Sequence, residues 1–200
     1  MSSFSPFSKQ ELFPQEEMLE IIKQKGELFI GLPKESYLGE KRVCLTPDAV
    51  AALCSHGHRI VIETGAGDHA NYTDRNYSEA GAKISSNVEE AFKCSIVLKV
   101  APPTKKEIEY MNPKTILISS LQLKTQDKEY FNYLTNKQIT AVAFDYIKDE
   151  HETFPIVKSL SEIAGTASII IAAELMSGTN IGNGLLLGNI GGVPPSSIVI

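Results

Sequence analysis

Leu28-Phe-Ile-Gly-Leu-Pro-Lys-Glu-Ser-Tyr-Leu-Gly-Glu-Lys-Arg-Val-Cys-Leu-Thr-Pro-Asp48 is the stretch from which the rest of the chain can be read. It opens on a short apolar run, Leu28-Phe-Ile30, flanked by Gly31 and Pro33, which predicts a buried strand. A polar loop follows, carrying Lys34, Glu35, Glu40, Lys41 and Arg42. It closes on Thr46-Pro47, an N-cap followed by proline at the first helical position, where a missing N–H costs nothing. The pattern is strand, loop, helix. Open α/β sheets place ligands in such loops at the carboxyl ends of their strands. Arg42 is the guanidinium of this loop, and its planar fork suits a carboxylate held by two bonds.

Outward from that stretch the same alternation continues. Residues 49–54 extend the helix begun at Thr46, His56-Gly-His58 breaks it, and Arg59-Ile-Val-Ile-Glu63 is the next strand. A short helix is expected over 76–80 and another over 88–92, the latter capped by Ser86 with Glu89 and Glu90 in its first turn. Strands follow at 95–100, 115–118 and 140–144, separated by helices at 104–110 and 127–134. Near-continuous apolar strands alternating with helices predict a parallel sheet covered on both faces.

Ser159 to Met176 reads as the longest helix, with Ser159 and Glu162 at capping-box spacing and Gly178 as the stop. Its middle, Ile169-Ile-Ile-Ala-Ala173, is apolar all round, so it is expected to lie buried between two bodies. A glycine-rich connection over 178–192 leads to a last strand, 198–200. Ahead of the sheet, residues 14–25 read as a helix ended by Gly26, either laid on the domain surface or used as an oligomer contact.

Composition narrows the function classes. Two hundred residues allow one domain, or one and a fraction. A net charge of -5 with no basic run argues against nucleic acid as a partner. Cys44, Cys54 and Cys94 are scattered and odd in number, which predicts reduced thiols, with neither a disulfide frame nor a metal site. No apolar run approaches the roughly 20 residues that cross a bilayer, and the N-terminus lacks a basic start followed by an apolar stretch. A soluble, cytoplasmic protein is expected. Gly65-Ala-Gly67 imitates half of a dinucleotide fingerprint, but Asp68 follows it and no third glycine opens a helix, so it reads as a turn.

The pattern Gly31-x-Pro-Lys-Glu35…Arg42-Val-x-x-Thr-Pro47 resembles the start of the alanine dehydrogenase and pyridine nucleotide transhydrogenase family. The likeness continues through Glu63-Thr-Gly-Ala-Gly67, Leu98-Lys-Val-Ala-Pro102, Ser161-Glu-Ile-Ala-Gly165 and Gly191-Gly-Val-Pro-Pro195. It implies a Rossmann-like (flavodoxin-like) α/β domain over 28–158, preceded by an extension, residues 1–27. Residues 159–200 would then be the helix that links two domains and the beginning of the NAD-binding domain. The resemblance also implies NAD as cofactor, bound mainly after Ile200, a small amino acid or 2-oxo acid as substrate, and a homo-oligomer.

The residues of the site follow from the same resemblance. Arg42 matches the arginine that grips the substrate carboxylate. Dehydrogenases end the third strand with Lys-Val-Lys-Glu-Pro, the second lysine being a substrate-site residue, whereas this chain has Lys99-Val-Ala-Pro-Pro103 and so Ala101 at that place. The family's catalytic histidine stands where Leu121-Gln-Leu123 puts Gln122, which can donate a hydrogen bond but has no proton to exchange near neutral pH. Lys99 and Gln122 are the candidate catalytic residues. Lys99 reads either as a desolvated lysine near the reacting groups or as a strand-end lysine reaching water. Ser161 is the candidate toward the cofactor, in the first turn of the long helix. The rival readings are a transhydrogenase nucleotide-binding subunit, a saccharopine-dehydrogenase-like enzyme and a non-catalytic nucleotide-binding paralogue.

Overall fold

In the computed structural model, which describes residues 26–178 and positions 184, 187, 188, 191 and 192, the opening apolar run becomes β1 (Phe29–Leu32), a central strand. Parallel neighbours flank it on either side: β2 (Arg59–Glu63) and, across the other edge, β4 (Ile96–Leu98). The remaining strands are β3 (Lys83–Ser85), β5 (Ile116–Ser119) and β6 (Thr140–Ala143), giving the order β3-β2-β1-β4-β5-β6 with every pairing parallel. The expected helix over 14–25 and the expected strand 198–200 lie outside the described residues.

Each strand alternates its side chains between two cores. Ile60 and Ile62 join Ile30, Leu32, Val50 and Tyr77 on one face. Val61 turns the other way, to Ala91 and Cys94. Val97 and Leu117 pack with Phe92, Ile108, Met111, Tyr130 and Leu134. Both faces are therefore covered, as a parallel sheet requires.

The covering helices are α1 (Pro47–Ser55), α2 (Asp74–Glu79), α3 (Val88–Phe92), α4 (Lys105–Tyr110) and α5 (Lys128–Asn136). Thr46 caps α1 by accepting the Ala49 N–H, with Pro47 inside the first turn, as the sequence predicts. Thr104 and Glu107 form a reciprocal capping box on α4. Asp127 caps α5 by accepting the Tyr130 N–H at 2.7 Å.

Several expectations are corrected in detail. Gly31 lies inside β1 and does not bound it. The strand β3 was not foreseen, because Lys-Ile-Ser is three residues long with one apolar side chain, half-buried. Without β3 the other five strands have the flavodoxin order 2-1-3-4-5, and adding this edge strand yields the six-strand order 3-2-1-4-5-6 of dinucleotide-binding folds. The helix expected from Asn76 begins at Asp74, since Thr73 and Asn76 form its capping box. Asn87, not Ser86, caps α3.

The described chain divides into two compact units, Met1–Ala143 with the sheet and Phe144–Ile200. The second holds a 3-10 turn, Phe144–Tyr146, and α6 (Pro155–Met176). This helix starts four residues before the expected Ser159, because Pro155 supplies the first turn and Phe154 stands at the cap without a side-chain bond. Ser159 therefore caps nothing, and its Oγ donates back to the Pro155 carbonyl at 3.0 Å. In the single chain Ile163, Ile170, Ile171 and Leu175 of this helix are exposed. At 22 residues it is long and apolar enough, by length and composition alone, to cross a bilayer, which the shorter reading did not anticipate.

Candidate functional site

The strand order reverses direction between β1 and β4, so the loops leaving these two strands flank the crevice where doubly wound sheets bind ligands. The loop after β1 is anchored at its root by three consecutive residues, Lys34, Glu35 and Ser36. Lys34 N–H donates to Glu63 Oε2 at 2.8 Å, at the end of β2. Glu35 accepts the Val100 N–H at 2.6 Å on Oε1 and the Ala101 N–H at 3.3 Å on Oε2. Ser36 Oγ donates to Glu107 Oε1 at 2.9 Å. The loop after β1 is thus tied to the loop after β4.

Lys99 sits under this junction. Its Nζ donates to Glu107 Oε1 at 3.0 Å and lies 3.6 Å from Glu35 Oε2 and 3.5 Å from Ser36 Oγ. The side chain is 0% exposed. Its head is desolvated and does not reach water as a strand-end lysine would. Burial pushes the Glu35 carboxyl above its ordinary range, opposed by the Lys99 charge and the two backbone N–H groups. Glu107 also accepts the Thr104 N–H at 2.7 Å through Oε2, so one carboxylate closes the α4 capping box and receives the lysine.

Past Ser36 the loop runs out to an exposed tip, where Tyr37 and Leu38 project, Gly39 adopts φ +91° and the Glu40 N–H returns to the Tyr37 carbonyl at 3.1 Å. Arg42 then folds onto Glu40. Its Nε donates to Oε1 at 2.8 Å and its Nη2 to Oε2 at 2.7 Å, and its backbone N–H donates to Oε1 at 2.9 Å. These bonds raise the Arg42 pKa and lower that of Glu40. The arginine side chain is 55% exposed, and its Nη1 edge is not used by Glu40. Behind it, a cavity of about 10 Å³ bordered by Glu35, Arg42, Cys44 and Tyr77 has room for a single water at most. A carboxylate can reach Arg42 from the solvent side.

Burial and the neighbouring Glu35 charge push the Cys44 thiol up to about 12, so it is no nucleophile at neutral pH. Ala101 is buried, a methyl group where dehydrogenases carry the second lysine. Gln122, in the loop after β5, is exposed with φ +47°, and its carbonyl accepts the Thr125 N–H and Oγ1, both at 2.9 Å. Arg42, Lys99 and Gln122 all lie in loops at the carboxyl edge of the sheet. Glu35, on the loop that carries Arg42, contacts Lys99, whereas Gln122 bonds within its own loop. Ser161 belongs to the second unit and lies in the second turn of α6, not the first, so its N–H is not one of the helix's open donors.

Residues 65–67 do not fit a dinucleotide phosphate. Gly65 N–H is taken by Asp74 Oδ1 at 2.8 Å, and the acidic Asp68 stands beside it. Gly67 is pressed against Tyr72 and Tyr77, where a Cβ would meet the Tyr72 carbonyl at 2.5 Å. These glycines serve close packing and a turn, as the sequence reading held. Glu35, Ser36 and Glu107 were not singled out from sequence. The signal for Glu107 was present: Thr104-x-x-Glu107 is a capping box, which draws a carboxylate to a helix N-terminus beside the end of β4.

The comparisons with known proteins agree with this architecture. The family described as alanine dehydrogenase/PNT, N-terminal domain, matches residues 31–164. An alanine dehydrogenase of Staphylococcus epidermidis is 34% identical over 171 residues, 86% of this chain and 46% of the relative. One of Methanococcus maripaludis is 36% identical over 174 residues, with the same shares. A solved L-alanine dehydrogenase superposes with a TM-score of 0.78 at 33% identity over 83% of this chain and 46% of its own. A transhydrogenase from Sinorhizobium meliloti does so with 0.55 at 27% identity, over 58% and 34%. The chain spans about half the length of the curated relatives it matches. Its β1–loop–α1 opening, its parallel sheet and its match over 134 consecutive positions place the chain in the alanine dehydrogenase/PNT N-terminal domain family.

Proposed function

We propose that residues 28–158 form the substrate-side domain of an NAD-dependent amino-acid dehydrogenase acting on L-alanine. Residues 1–27 are an extension, and 159–200 carry the linking helix and the beginning of the NAD-binding part. The observation that carries this reading is Arg42, held at the switch point by a loop fastened on both sides, with one guanidinium edge open to solvent. The reaction is L-alanine, water and NAD⁺ giving pyruvate, ammonium, NADH and a proton. NAD accepts the hydride and is held mainly after Ile200, since the Gly65–Gly67 turn offers no phosphate cradle.

In this reading Arg42 takes the carboxylate of alanine or pyruvate as a bidentate, charge-assisted pair. Gln122 donates its amide N–H to the carbonyl oxygen and leaves the proton transfer to water. Ser161 presents its hydroxyl on the cofactor side. The enzyme is cytoplasmic and assembles as a homo-oligomer. The test is alanine-dependent NAD reduction by the full-length polypeptide. Arg42→Ala removes about 2–5 kcal/mol of substrate binding and raises the KM for alanine at least about 30-fold.

A second reading has a specific observation in its favour. Ala101 is a buried methyl group and the Gln122 amide is neither an acid nor a base near neutral pH, so neither position offers proton transfer. Hydride transfer between two nucleotides, as in a transhydrogenase, needs no amino-acid site. NADH binding without alanine turnover, together with hydride transfer that requires a membrane partner, would select it.

A further inference from the structure

Lys99 has three ammonium donors and three acceptors around them: Glu107 Oε1 at 3.0 Å, Ser36 Oγ at 3.5 Å and Glu35 Oε2 at 3.6 Å. Each acceptor has a second task at the sheet edge. Glu35 takes the Val100 and Ala101 N–H groups and so joins the loop after β1 to the loop after β4. Glu107 closes the α4 cap and receives the Ser36 hydroxyl. Without a cation, two carboxylates confined there would repel each other and let go of those donors. On the far side the Arg42 loop is held again, where Tyr77 Oη donates to the Leu45 carbonyl at 2.9 Å. Between these anchors Tyr37 to Gly39 form the exposed tip.

We infer that Lys99 is a positioning residue: its buried charge allows Glu35 and Glu107 to fasten the Arg42 loop across the switch point, and no atom of it touches substrate. Which substrate is positioned rests on the dehydrogenase reading; the fastening does not.

The test uses the full-length protein as wild type, Lys99→Met, and Lys99→Met with Glu35→Gln. Methionine keeps most of the length of lysine, one atom short, without its charge. Lys99→Met speeds exchange of the Val100 and Ala101 amides at least about tenfold. It raises the KM for alanine at least about tenfold, changes kcat by less than about threefold and keeps the shape of the pH profile. Adding Glu35→Gln removes the carboxylate that Lys99 offsets while its amide oxygen still accepts the Val100 N–H, and brings protection of the Val100 amide and KM back to within about threefold of wild type. A kcat loss of about 100-fold or more with one limb of the pH profile gone, not rescued by the second substitution, overturns the inference. Unchanged amide exchange in Lys99→Met overturns it as well.

Should Lys99→Met fail to fold, acetic anhydride labelling of the wild type decides. Lys99 then reacts at least about 100-fold more slowly than the exposed Lys41 and Lys124, equally with and without pyruvate. Rapid labelling that pyruvate blocks overturns the inference. If the wild type turns over no alanine, the dehydrogenase reading fails, while amide exchange and labelling still decide the role of Lys99.

Discussion

Gly31→Ala is the substitution on which the fold can be tested most sharply. Gly31 lies in the central strand, paired with Val61 on β2 and Val97 on β4. A Cβ built on it would stand 1.8 Å from the Ala91 carbonyl oxygen, 2.7 Å from the Ala91 carbonyl carbon and 3.1 Å from Cys94 Sγ. A carbon meets a carbonyl oxygen at about 3.3 Å, so about 1.5 Å must be found by moving backbone. The helix cannot yield easily. Ala91, Phe92 and Cys94 are all fully buried, and the Cys94 carbonyl accepts Thr115 Oγ1 from the start of β5. Overpacking of flexible side chains costs about 1–3 kcal/mol, and a clash with backbone belongs at or above the top of that range. At a urea m-value of about 2 kcal/mol/M, a loss of about 3 kcal/mol lowers the midpoint by about 1.5 M. Urea unfolding followed by circular dichroism measures it, with the m-value expected to hold. A midpoint lowered by less than about 0.5 M would refute the close approach of α3 to β1 on which this packing depends.

Burial raises the folded-state pKa of Glu35, so this group contributes stability that is complete below its unfolded pKa and is lost as pH rises through the folded one. Unfolding free energies measured across that interval should therefore show the advantage of wild type over Glu35→Gln shrinking with rising pH, and an advantage that grows would reverse the assignment. Glu40 acts in the opposite sense, because Arg42 lowers its pKa: its contribution is present above the unfolded value and disappears as pH falls through the folded one. The Cys94 thiol is buried and pushed up to about 12, so mass spectrometry after native thiol labelling should find Cys94 unmodified until the protein is unfolded. Residues 1–200 alone should bind NAD weakly or not at all by calorimetry, and micromolar affinity would show that a cradle was missed.

How far the sequence could be read depended on whether a signal was local. Thr46-Pro47 and the apolar runs at 59–63 and 115–118 state their structure within a few residues, and those elements stand where expected. Lys83-Ile-Ser85 carries no such signal. It becomes a strand because the exposed edge of β2 is there to pair with. The start of α6 was misplaced because serine and glutamate at the right spacing look like a box, while Pro155 upstream offered a better first turn. Arg42 could be named from chemistry and resemblance, but its engagement by Glu40 could not, since the tight turn at Gly39 brings that carboxylate back. Glu35 and Glu107 are 72 positions apart, and only the crossover from β1 to β4 makes them neighbours of one lysine.

Charge at the switch point bears directly on how a substrate acid would enter. Lys99 and Arg42 bring two positive charges, while Glu35, Glu40 and Glu107 bring three negative ones when all are ionised. A further carboxylate would meet a surplus of one negative charge unless something gave way. Glu35 and Glu107 cannot leave without uncoupling two loops and an α4 cap. Glu40 is no freer: its side chain is 12% exposed and it takes two guanidinium donors and the Arg42 backbone N–H. A substrate acid would then enter against that surplus at the Nη1 edge, which Glu40 leaves open, with no movement of the buried triad. On the proposed function the division of labour is physical: the buried cation would hold the frame, and the exposed one would meet the acid.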